Sequence, residues 1–357
     1  MESHCLYKTI FILLLTFIYG CSGQYYSVED YRSVEKVDIH VHINKANSAL
    51  AAQAVEDNFR LISVNVDLFF PNVSVEEQRI AAKGMKDLYP EQVEWLSTFE
   101  MESWDQESWE QETIAHLEKT FSEGAIGIKL WKNIGMEFRD KNGEFILIDH
   151  PRFKPVIDFV ESRGKSVLAH IGEPREAWLP LEKMKLHRGY FSNNPQYHMY
   201  LHPEFPSYEE IIASRNNLLD MYPDLRIVGA HLGSMEWSID MMSEHLEKYP
   251  NLALEMAARM RHMYLASAED YEKARDFFIT YQDQLIYSTD ISESPDSDPQ
   301  QVRDRASEVW QKDWEFFVSD NEMTDPAIEN PLQGLKLPKT VIDKLYTTNA
   351  EKWFPEL

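Results

Sequence analysis

Residues 37–43, Val-Asp-Ile-His-Val-His-Ile, alternate apolar and polar side chains with a period of two. This period is typical of a β-strand, in which successive side chains point to opposite faces. Asp38, His40 and His42 are therefore expected on one face and the aliphatic residues on the other. Two imidazoles two residues apart on one strand can reach a single metal ion, although packed or solvated histidines are the ordinary alternative.

Short apolar runs alternate with longer amphipathic stretches along the rest of the chain. Eight strands are predicted, at Val37–Ile43, Leu61–Leu68, Val93–Phe99, Ala125–Trp131, Ser166–His170, Arg226–His231, Asn251–Met256 and Gln284–Asp290. Helical periodicity is found at Ser74–Leu88, Glu107–Phe121, Pro151–Arg163, Ser207–Met221, Met235–Lys248 and Ala268–Phe278. Eight β/α alternations without an internal repeat predict an α/β protein with one domain, a (β/α)8 TIM barrel.

Two long loops follow strands of the predicted barrel, at Glu173–Pro206 and at Ile291–Gln301. Both leave the carboxyl ends of their strands, which is the face where such barrels carry their active sites. The tail Gly334–Phe354 is expected to form a final helix that closes the barrel.

Composition limits the classes of protein to consider. The 357 residues include 35 Lys and Arg against 60 Asp and Glu, a formal net charge of −25, and 43% are hydrophobic. The hydrophobic content supports a large core and excludes general disorder. The negative charge repels phosphates, so a nucleic-acid partner or a polybasic membrane surface is not expected.

The amino-terminal residues indicate export. The apolar run Ile10–Ile18 follows Lys8, is too short to span a bilayer, and precedes Cys21. Residues 1–20 are predicted to be a lipoprotein-type signal peptide, with Cys21 lipidated, residues 21–36 a tether and residues 37–357 the barrel. Ordinary signal cleavage and a short buried anchor remain alternatives. The expected location is the periplasm or cell surface, with the N-terminal lipid as the only membrane contact to a bacterial membrane.

Cysteine content agrees with this assignment. Cys5 and Cys21 are the two cysteines of the sequence, and Cys5 would be removed with the signal peptide. The mature core then has no thiol pair, so an exported chain of this kind must be stable without disulfides.

Three more polar residues end apolar strands. His170 ends the fifth predicted strand, His231 the sixth and Asp290 the eighth. Together with His40 and His42 they would converge on the mouth of one barrel, where burial without partners is costly. A shared metal ion removes that cost, whereas each histidine alone would more often be a satisfied core residue.

This constellation resembles the amidohydrolase superfamily, in particular the amidohydrolase-related branch that includes amino-carboxymuconate-semialdehyde decarboxylase and lactone hydrolases. The similar stretches are Asp38–His42, Ala169–Gly172, Gly229–Gly233, Tyr287–Asp290 and Leu345–Ala350. The resemblance implies His40, His42, His170 and Asp290 as ligands of one divalent metal, zinc or alternatively manganese. It further implies that Asp290 acts as a general base toward water and that His231 acts on the substrate.

Lys129 matches, in part, the lysine that is carbamylated and bridges two metals in binuclear members. A second metal is expected only if Lys129 carries that modification; pairing with a carboxylate is the alternative. Arg175 and Trp178 follow His170 in a segment similar to the family's substrate loop, and Arg259 and Trp131 can also reach the mouth. Cationic side chains there favour an anionic substrate, although ordinary surface ion pairs explain them equally well. Trp131 could stack on a sugar or aromatic ring, but core packing is the more common role of such a residue.

The expected function is metal-dependent hydrolysis of an amide, lactone or related ester bond in a small carboxylated or sugar-derived molecule. The alternative on the same site is a lyase, a non-oxidative decarboxylase. A ligand-binding lipoprotein without turnover is a third hypothesis, and a homo-oligomer is compatible with the sequence.

Overall fold

The structure, a computed structural model, describes residues 24–67 and 73–357. Its parallel strands are hydrogen-bonded in the order β8-β7-β6-β5-β4-β3-β2-β1-β9. They are β1 Lys36–Ile43, β2 Phe59–Val64, β3 Val93–Ser97, β4 Gly127–Leu130, β5 Ser166–Ala169, β6 Ile227–Gly229, β7 Leu252–Glu255, β8 Leu285–Ile286 and β9 Ile291–Glu293.

The sheet closes on itself next to β1. On its second edge, β1 pairs with β9 in the register Val41↔Ile291. The segment between β8 and β9 also bonds β1, because the amide of Asp290 donates to the carbonyl of His40 at 2.8 Å. β8 and β9 therefore form one interrupted eighth strand of the barrel. The predicted α/β barrel with a single domain is confirmed.

Helices cover the outside of the barrel. The six predicted from periodicity are present, and a capping box of Ser74 and Glu77 begins the first of these six. The helices are α1 Ala49–Glu56, α2 Val75–Leu88, α3 Trp109–Ser122, α4 Lys154–Ser162, α5 Arg188–Asn193, α6 Tyr208–Met221, α7 Ile239–Lys248, α8 Met260–Glu269, α9 Tyr271–Thr280, α10 Pro299–Val318, α11 Lys339–Asp343 and α12 Asn349–Trp353.

Smaller elements complete the chain. A π-helical segment at Lys344–Thr348 joins α11 to α12, so the predicted final helix is present but begins at Lys339 rather than Gly334. An antiparallel pair, β10 Glu322–Met323 and β11 Leu332–Gln333, precedes it. Four-residue helical turns are found at Asn133–Met136 and Ala230–Gly233, and 3-10 turns at Val28–Arg32, Pro151–Phe153, Arg175–Trp178, Leu181–Lys183, Pro195–Tyr197 and Met199–Leu201.

The loop predicted at Ile291–Gln301 is wrong in its bounds. Its first residues form β9, and its last residues begin α10, a helix of 20 residues. The Asp298 side chain accepts from the amide of Gln301 and Pro299 occupies the first turn, which are both favourable at a helix start. Asp298 and Pro299, which favour a loop when the sequence is considered alone, therefore form the start of a helix.

The strict alternation predicted for β1 is also wrong. A bulge between Asp38 and Val41 shifts the register against β2. Ile39 joins the apolar cluster inside the barrel, whereas Val41 joins the cluster between strands and helices. The side chain of Asp38 points to the helix layer and not to the face of the His40 ring: its Oδ2 accepts from Trp310 Nε1 at 3.1 Å, and its Oδ1 accepts from the amide of His40 at 3.3 Å. An extra residue in the strand is what reverses the faces.

The residues expected to form a tether lie against the barrel where they are described. Tyr31 is buried, Tyr26 Oη donates to Asp343 Oδ1 at 2.8 Å, and Trp314 Nε1 donates to the carbonyl of Ser27 at 3.2 Å. The signal peptide and Cys21 lie outside the described residues. Within the described parts of the chain, the helices are too short or too polar to cross a bilayer.

Candidate active site

The barrel mouth brings His40, His42 and Asp290 together. His42 Nε2 lies 3.1 Å from Asp290 Oδ1, and His40 Nε2 lies 3.5 Å from the same oxygen. One donor atom from each of the three side chains falls within 4.8 Å of the other two. These donors come from β1 and from the β8–β9 junction, so barrel closure is what creates the group. Nitrogen and carboxylate ligands at such spacing suit a divalent metal.

Hydrogen bonding fixes which nitrogen of His40 is free to bind a metal. His40 Nδ1 lies 2.9 Å from Glu255 Oε1, and both side chains are fully buried. Burial lowers the pKa of His40, so the ring is neutral and its one proton sits on Nδ1, facing the carboxylate. The lone pair is then on Nε2, which lies 3.5 Å from Asp290 Oδ1 and 3.1 Å from Lys129 Nζ, so this is the nitrogen that could bind a metal.

The same reasoning applies to His231 and His170. The carbonyl of Ala257 can only accept, so His231 Nδ1, at 2.8 Å, donates to it. Burial lowers the pKa of both histidines well below the usual value, which leaves His231 Nε2 to accept from His170 Nδ1 at 3.2 Å. His170 Nε2 consequently carries a lone pair.

That nitrogen of His170 is buried and has no hydrogen-bond partner among the described residues. Buried polar atoms nearly always have a partner, and an imidazole lone pair without one at the mouth of the barrel is expected for a metal ligand whose ion is absent. The residues present therefore fit a divalent ion. His170 lies outside the tight group of His40, His42 and Asp290, and a second tight group consists of His40, His231 and Glu255.

The expected role of His231 toward substrate stays a prediction, and its present hydrogen bonds limit how that role could be played. Both of its ring nitrogens are already used, by Ala257 and by His170. His231 can reach a substrate oxygen only after the contact with His170 opens, because a neutral imidazole has one donor and one acceptor.

Glu255 is the functional candidate that sequence reasoning missed. Its Oε1 contacts His40 Nδ1 and accepts from the amide of His231 at 2.9 Å, and its Oε2 accepts from the amide of Ala257 at 2.5 Å and from the Ser288 hydroxyl. Burial alone would raise the pKa of Glu255, but His40, His231 and Lys129 outweigh it and lower the pKa to about 2. A carboxylate at the end of the apolar strand β7 is the signal that could have found it.

The backbone at two of these positions is strained. His231 has φ of 58° and Asp290 has φ of 69°, both in the left-handed region that residues with a side chain seldom adopt. Such conformations persist where surrounding contacts enforce them, and they cluster at functional sites. At Asp290 the interruption between β8 and β9 turns the carboxylate toward His40 and His42, and these histidines lower its pKa despite burial.

The family comparison agrees with this centre. The model described as Amidohydrolase matches residues 106–355, well over half of the chain. The chain belongs to the amidohydrolase family. His170, His231, Glu255 and Asp290 fall within the matched residues of this amidohydrolase, whereas His40 and His42 precede them.

Solved structures support the fold of this amidohydrolase. The 5-carboxyvanillate decarboxylase of Novosphingobium aromaticivorans, complexed with manganese and a nitrobenzoic acid, is 12% identical with a TM-score of 0.51 over 91% of this chain and 97% of its own. The 2,6-dihydroxybenzoate decarboxylase of Rhizobium is 13% identical with a TM-score of 0.50 over 90% and 98%. No curated protein matches the sequence.

The lysine that would bridge two metals if it were carbamylated lies inside the amidohydrolase site. Lys129 is fully buried and its Nζ lies 3.1 Å from His40 Nε2. Burial lowers its pKa to about 8, which favours the neutral amine that carbamylation needs. The second metal therefore stays a prediction that depends on this modification.

The four expected substrate contacts occupy different places. The ring of Trp131 lies 4.8 Å from that of His170, and Arg259 is close enough to contribute to the lowered pKa of both His170 and His231. Arg175 instead stacks on Trp237 in a separate cleft. Trp178 packs within its loop, with Nε1 donating to the carbonyl of Pro206 at 3.2 Å, so loop packing rather than the metal group engages it.

Proposed function

We propose that this amidohydrolase is a metal-dependent lyase that removes carbon dioxide from a small aromatic or unsaturated carboxylic acid. In this reaction the bond between the carboxyl carbon and the adjacent carbon breaks, carbon dioxide leaves, and the electron pair stays on the remaining carbon, where a proton replaces the carboxyl group. An active site for this reaction must bind the carboxylate, stabilise the negative charge that develops, and exclude water.

The observation that carries the proposal is the environment of Arg259. The residue is 8% exposed, and its Nε is buried without a hydrogen-bond partner among the described residues. A buried guanidinium with a free donor, near enough for its charge to lower the pKa of His170 and His231, offers a substrate carboxylate a charge-assisted hydrogen bond. Leaving that donor unpaired is costly, which supports an anionic occupant.

His40, His42, His170 and Asp290 would hold the metal, with Glu255 fixing the tautomer of His40. When bound, a divalent ion supplies Lewis-acid stabilisation of negative charge on a substrate oxygen. Zinc and manganese both accept this mixture of nitrogen and carboxylate ligands, and the related 5-carboxyvanillate decarboxylase carries manganese.

The remaining side chains orient the substrate. Arg259 binds the carboxylate, while the indole of Trp131, in edge-to-face contact with His170, flanks the apolar body. Asp290, whose pKa is lowered by His40 and His42, stays ionised and so serves as a ligand and counter-charge more readily than as a proton donor. The two decarboxylases with the same fold support this choice of reaction over hydrolysis.

Hydrolysis of an amide or lactone is the second candidate. The 3.1 Å contact between His42 and Asp290 favours it, since a paired carboxylate and imidazole can take a proton from water. The two reactions give different products from different substrates, so they can be separated directly.

The test is turnover by the metal-loaded chain with 2,6-dihydroxybenzoate and 5-carboxyvanillate, beside a panel of lactones and N-acyl compounds. We expect carbon dioxide release from an acid substrate, and a decrease in kcat/KM of about 10- to 100-fold in Arg259→Gln. Arg163→Gln, at an exposed position that follows α4 and precedes β5, is the matched control. Ring opening of a lactone or cleavage of an amide, without release of carbon dioxide from the acids, would overturn the proposed lyase activity in favour of hydrolysis.

A further inference from the structure

A second cleft opens beside the barrel mouth. Its volume is about 490 Å³, within the range of small-molecule sites. Its walls come from the loop after β5 (Arg175–Leu186), from the residues that lead into α7 (Glu236–Asp240), and from α8 and the start of α9 (His262–Lys273). None of the residues of the proposed metal centre lines it. We call it the Glu236 cleft.

Two buried polar side chains in the wall of the Glu236 cleft lack partners. Glu236 is 3% exposed; its Oε1 accepts from the amide of Arg175 at 3.1 Å, but its Oε2 has no hydrogen-bond partner among the described residues. His262 is 8% exposed, and its Nδ1 is likewise without one. Buried polar atoms are nearly always satisfied, and each exception costs about 1–3 kcal/mol. Two exceptions in one wall point to a missing ligand with hydrogen-bonding groups.

The charges around the Glu236 cleft nearly cancel. Four cationic and five anionic side chains line it. Lys185 pairs with Glu269 at 2.6 Å, and Lys273 pairs with Asp240 at 2.7 Å. Both pairs link neighbouring elements across the rim. Because opposite charges are present in nearly equal number and two cations are already paired, the cleft favours a neutral ligand over a carboxylate or an ammonium ion.

An aromatic surface lies at the edge of the cleft. Trp237 is 44% exposed, which is unusual for a large apolar ring in this chain. Its Nε1 donates to Tyr208 Oη at 3.1 Å, and that hydroxyl donates to the carbonyl of Ser234 at 2.6 Å, so the indole is held in place. The guanidinium of Arg175 lies 4.4 Å from the ring centroid. A fixed, exposed indole provides an apolar face for a flat molecule.

We propose that the Glu236 cleft binds a neutral polyhydroxylated molecule of the size of a mono- or disaccharide. Its hydroxyls hydrogen-bond Glu236 Oε2 and His262 Nδ1, and its C–H face packs on Trp237. This site is separate from the proposed decarboxylation and does not depend on it.

Binding of D-glucose and maltose to the full chain tests the proposal, by calorimetry and saturation-transfer NMR, with glucosamine and gluconate as charged comparisons. We expect saturable binding of a neutral sugar and weaker binding of both charged analogues. Glu236→Gln keeps the shape and the acceptor for the Arg175 amide, but it replaces the free carboxylate oxygen Oε2 by an NH2 donor. His262→Phe removes the ring nitrogens. Each is expected to weaken binding about tenfold, the effect of one hydrogen bond. Glu244→Gln, exposed on α7, is the matched control and is expected to bind as the parent does.

Metal content and the unfolding transition, measured on every variant, show whether the fold is intact. The proposal is overturned if neither sugar binds, if glucosamine or gluconate binds more tightly, or if a folded Glu236→Gln binds as well as the parent. It is also overturned if His231→Asn abolishes sugar binding while Glu236→Gln does not, because the ligand would then occupy the metal centre. None of these results bears on carbon dioxide release, so the two proposals fail separately.

Discussion

At the scale of single residues, the geometry of the centre depends on which groups hold the imidazoles. Glu255 makes contacts on both oxygens: His40 and the amide of His231 on one, the amide of Ala257 and the Ser288 hydroxyl on the other. These contacts fix the direction of the His40 lone pair and the left-handed backbone of His231. Residues that hold a ligand in this way commonly contribute about 10- to 100-fold to metal affinity, although they do not touch the metal.

Glu255→Gln is therefore expected to weaken metal binding about 10- to 100-fold. The amide nitrogen of Gln must face groups that donate, so one buried donor loses its acceptor and unfolding becomes easier by about 1–3 kcal/mol. Metal titration and chemical denaturation measure the two effects, with Glu244→Gln as the exposed control. An unchanged metal affinity would show that Glu255 does not orient His40.

Sequence alone identified most of the residues around the centre, because His170, His231 and Asp290 each end an apolar strand and His40 and His42 lie within one. It could not identify the bulge that turns Asp38 toward Trp310, since a bulge depends on the neighbouring strand. The pairing of His231 with His170 was also out of reach. That contact joins side chains 61 residues apart, which no local pattern reports.

At the scale of elements, α10 is a helix that the hydrophobic periodicity of the sequence did not predict. Its first two turns are polar, and Pro299 with Asp298 favours a loop, yet the helix buries Trp310, Trp314 and Phe317 against the barrel. Tertiary packing, rather than intrinsic propensity, supplies most of the stability of such a helix. Asp313 ties this helix to the fold: it accepts from the hydroxyl of Tyr264 on α8, and from that of Tyr287 after β8 at 2.7 Å.

Asp313 gives α10 a pH dependence. Burial raises its pKa to about 6, above the ordinary value near 3.9 of an unfolded chain. The folded state therefore holds the extra proton, so its stabilising contribution is complete below about pH 4 and is lost as pH rises through 6. A shift of about two pH units corresponds to about 3 kcal/mol.

In Asp313→Asn this contribution cannot titrate. The unfolding free energy of the parent, relative to the variant, is expected to fall by about 3 kcal/mol between pH 4 and pH 7. Denaturation of both proteins across that range measures the difference. Asp304→Asn, exposed on the same helix, should show no such trend. If the unfolding free energies of the parent and of Asp313→Asn change in parallel with pH, the Asp313 carboxyl has the same pKa in the folded and unfolded states and this prediction is wrong.

At the scale of the whole molecule, the two ends of the barrel differ in kind. The metal residues lie at the carboxyl ends of the strands, whereas the amino-terminal segment leads into β1 at Lys36, at the amino ends of the strands. Two hydrogen bonds tie this segment to the last helical region: Thr347 Oγ1 donates to the carbonyl of Glu35 at 3.0 Å, and the amide of Lys339 donates to the carbonyl of Gln24 at 2.9 Å. An anchor at Cys21 would attach only three residues before Gln24, a span of about 10 Å at most.

We expect lipidation at Cys21 to hold the amino ends of the strands toward the membrane and to leave the mouth facing away. In a bacterial host, the parent chain is expected in the membrane fraction with a mature mass that includes the acyl chains, because two or more chains are needed for stable anchoring. Cys21→Ala should release the protein into the soluble fraction, and Cys5→Ala, within the removed signal peptide, is the control. Turnover is expected to be equal in the parent and the released protein, since the mouth lies at the far end. Recovery of Cys21→Ala in the membrane fraction would instead favour the short buried anchor.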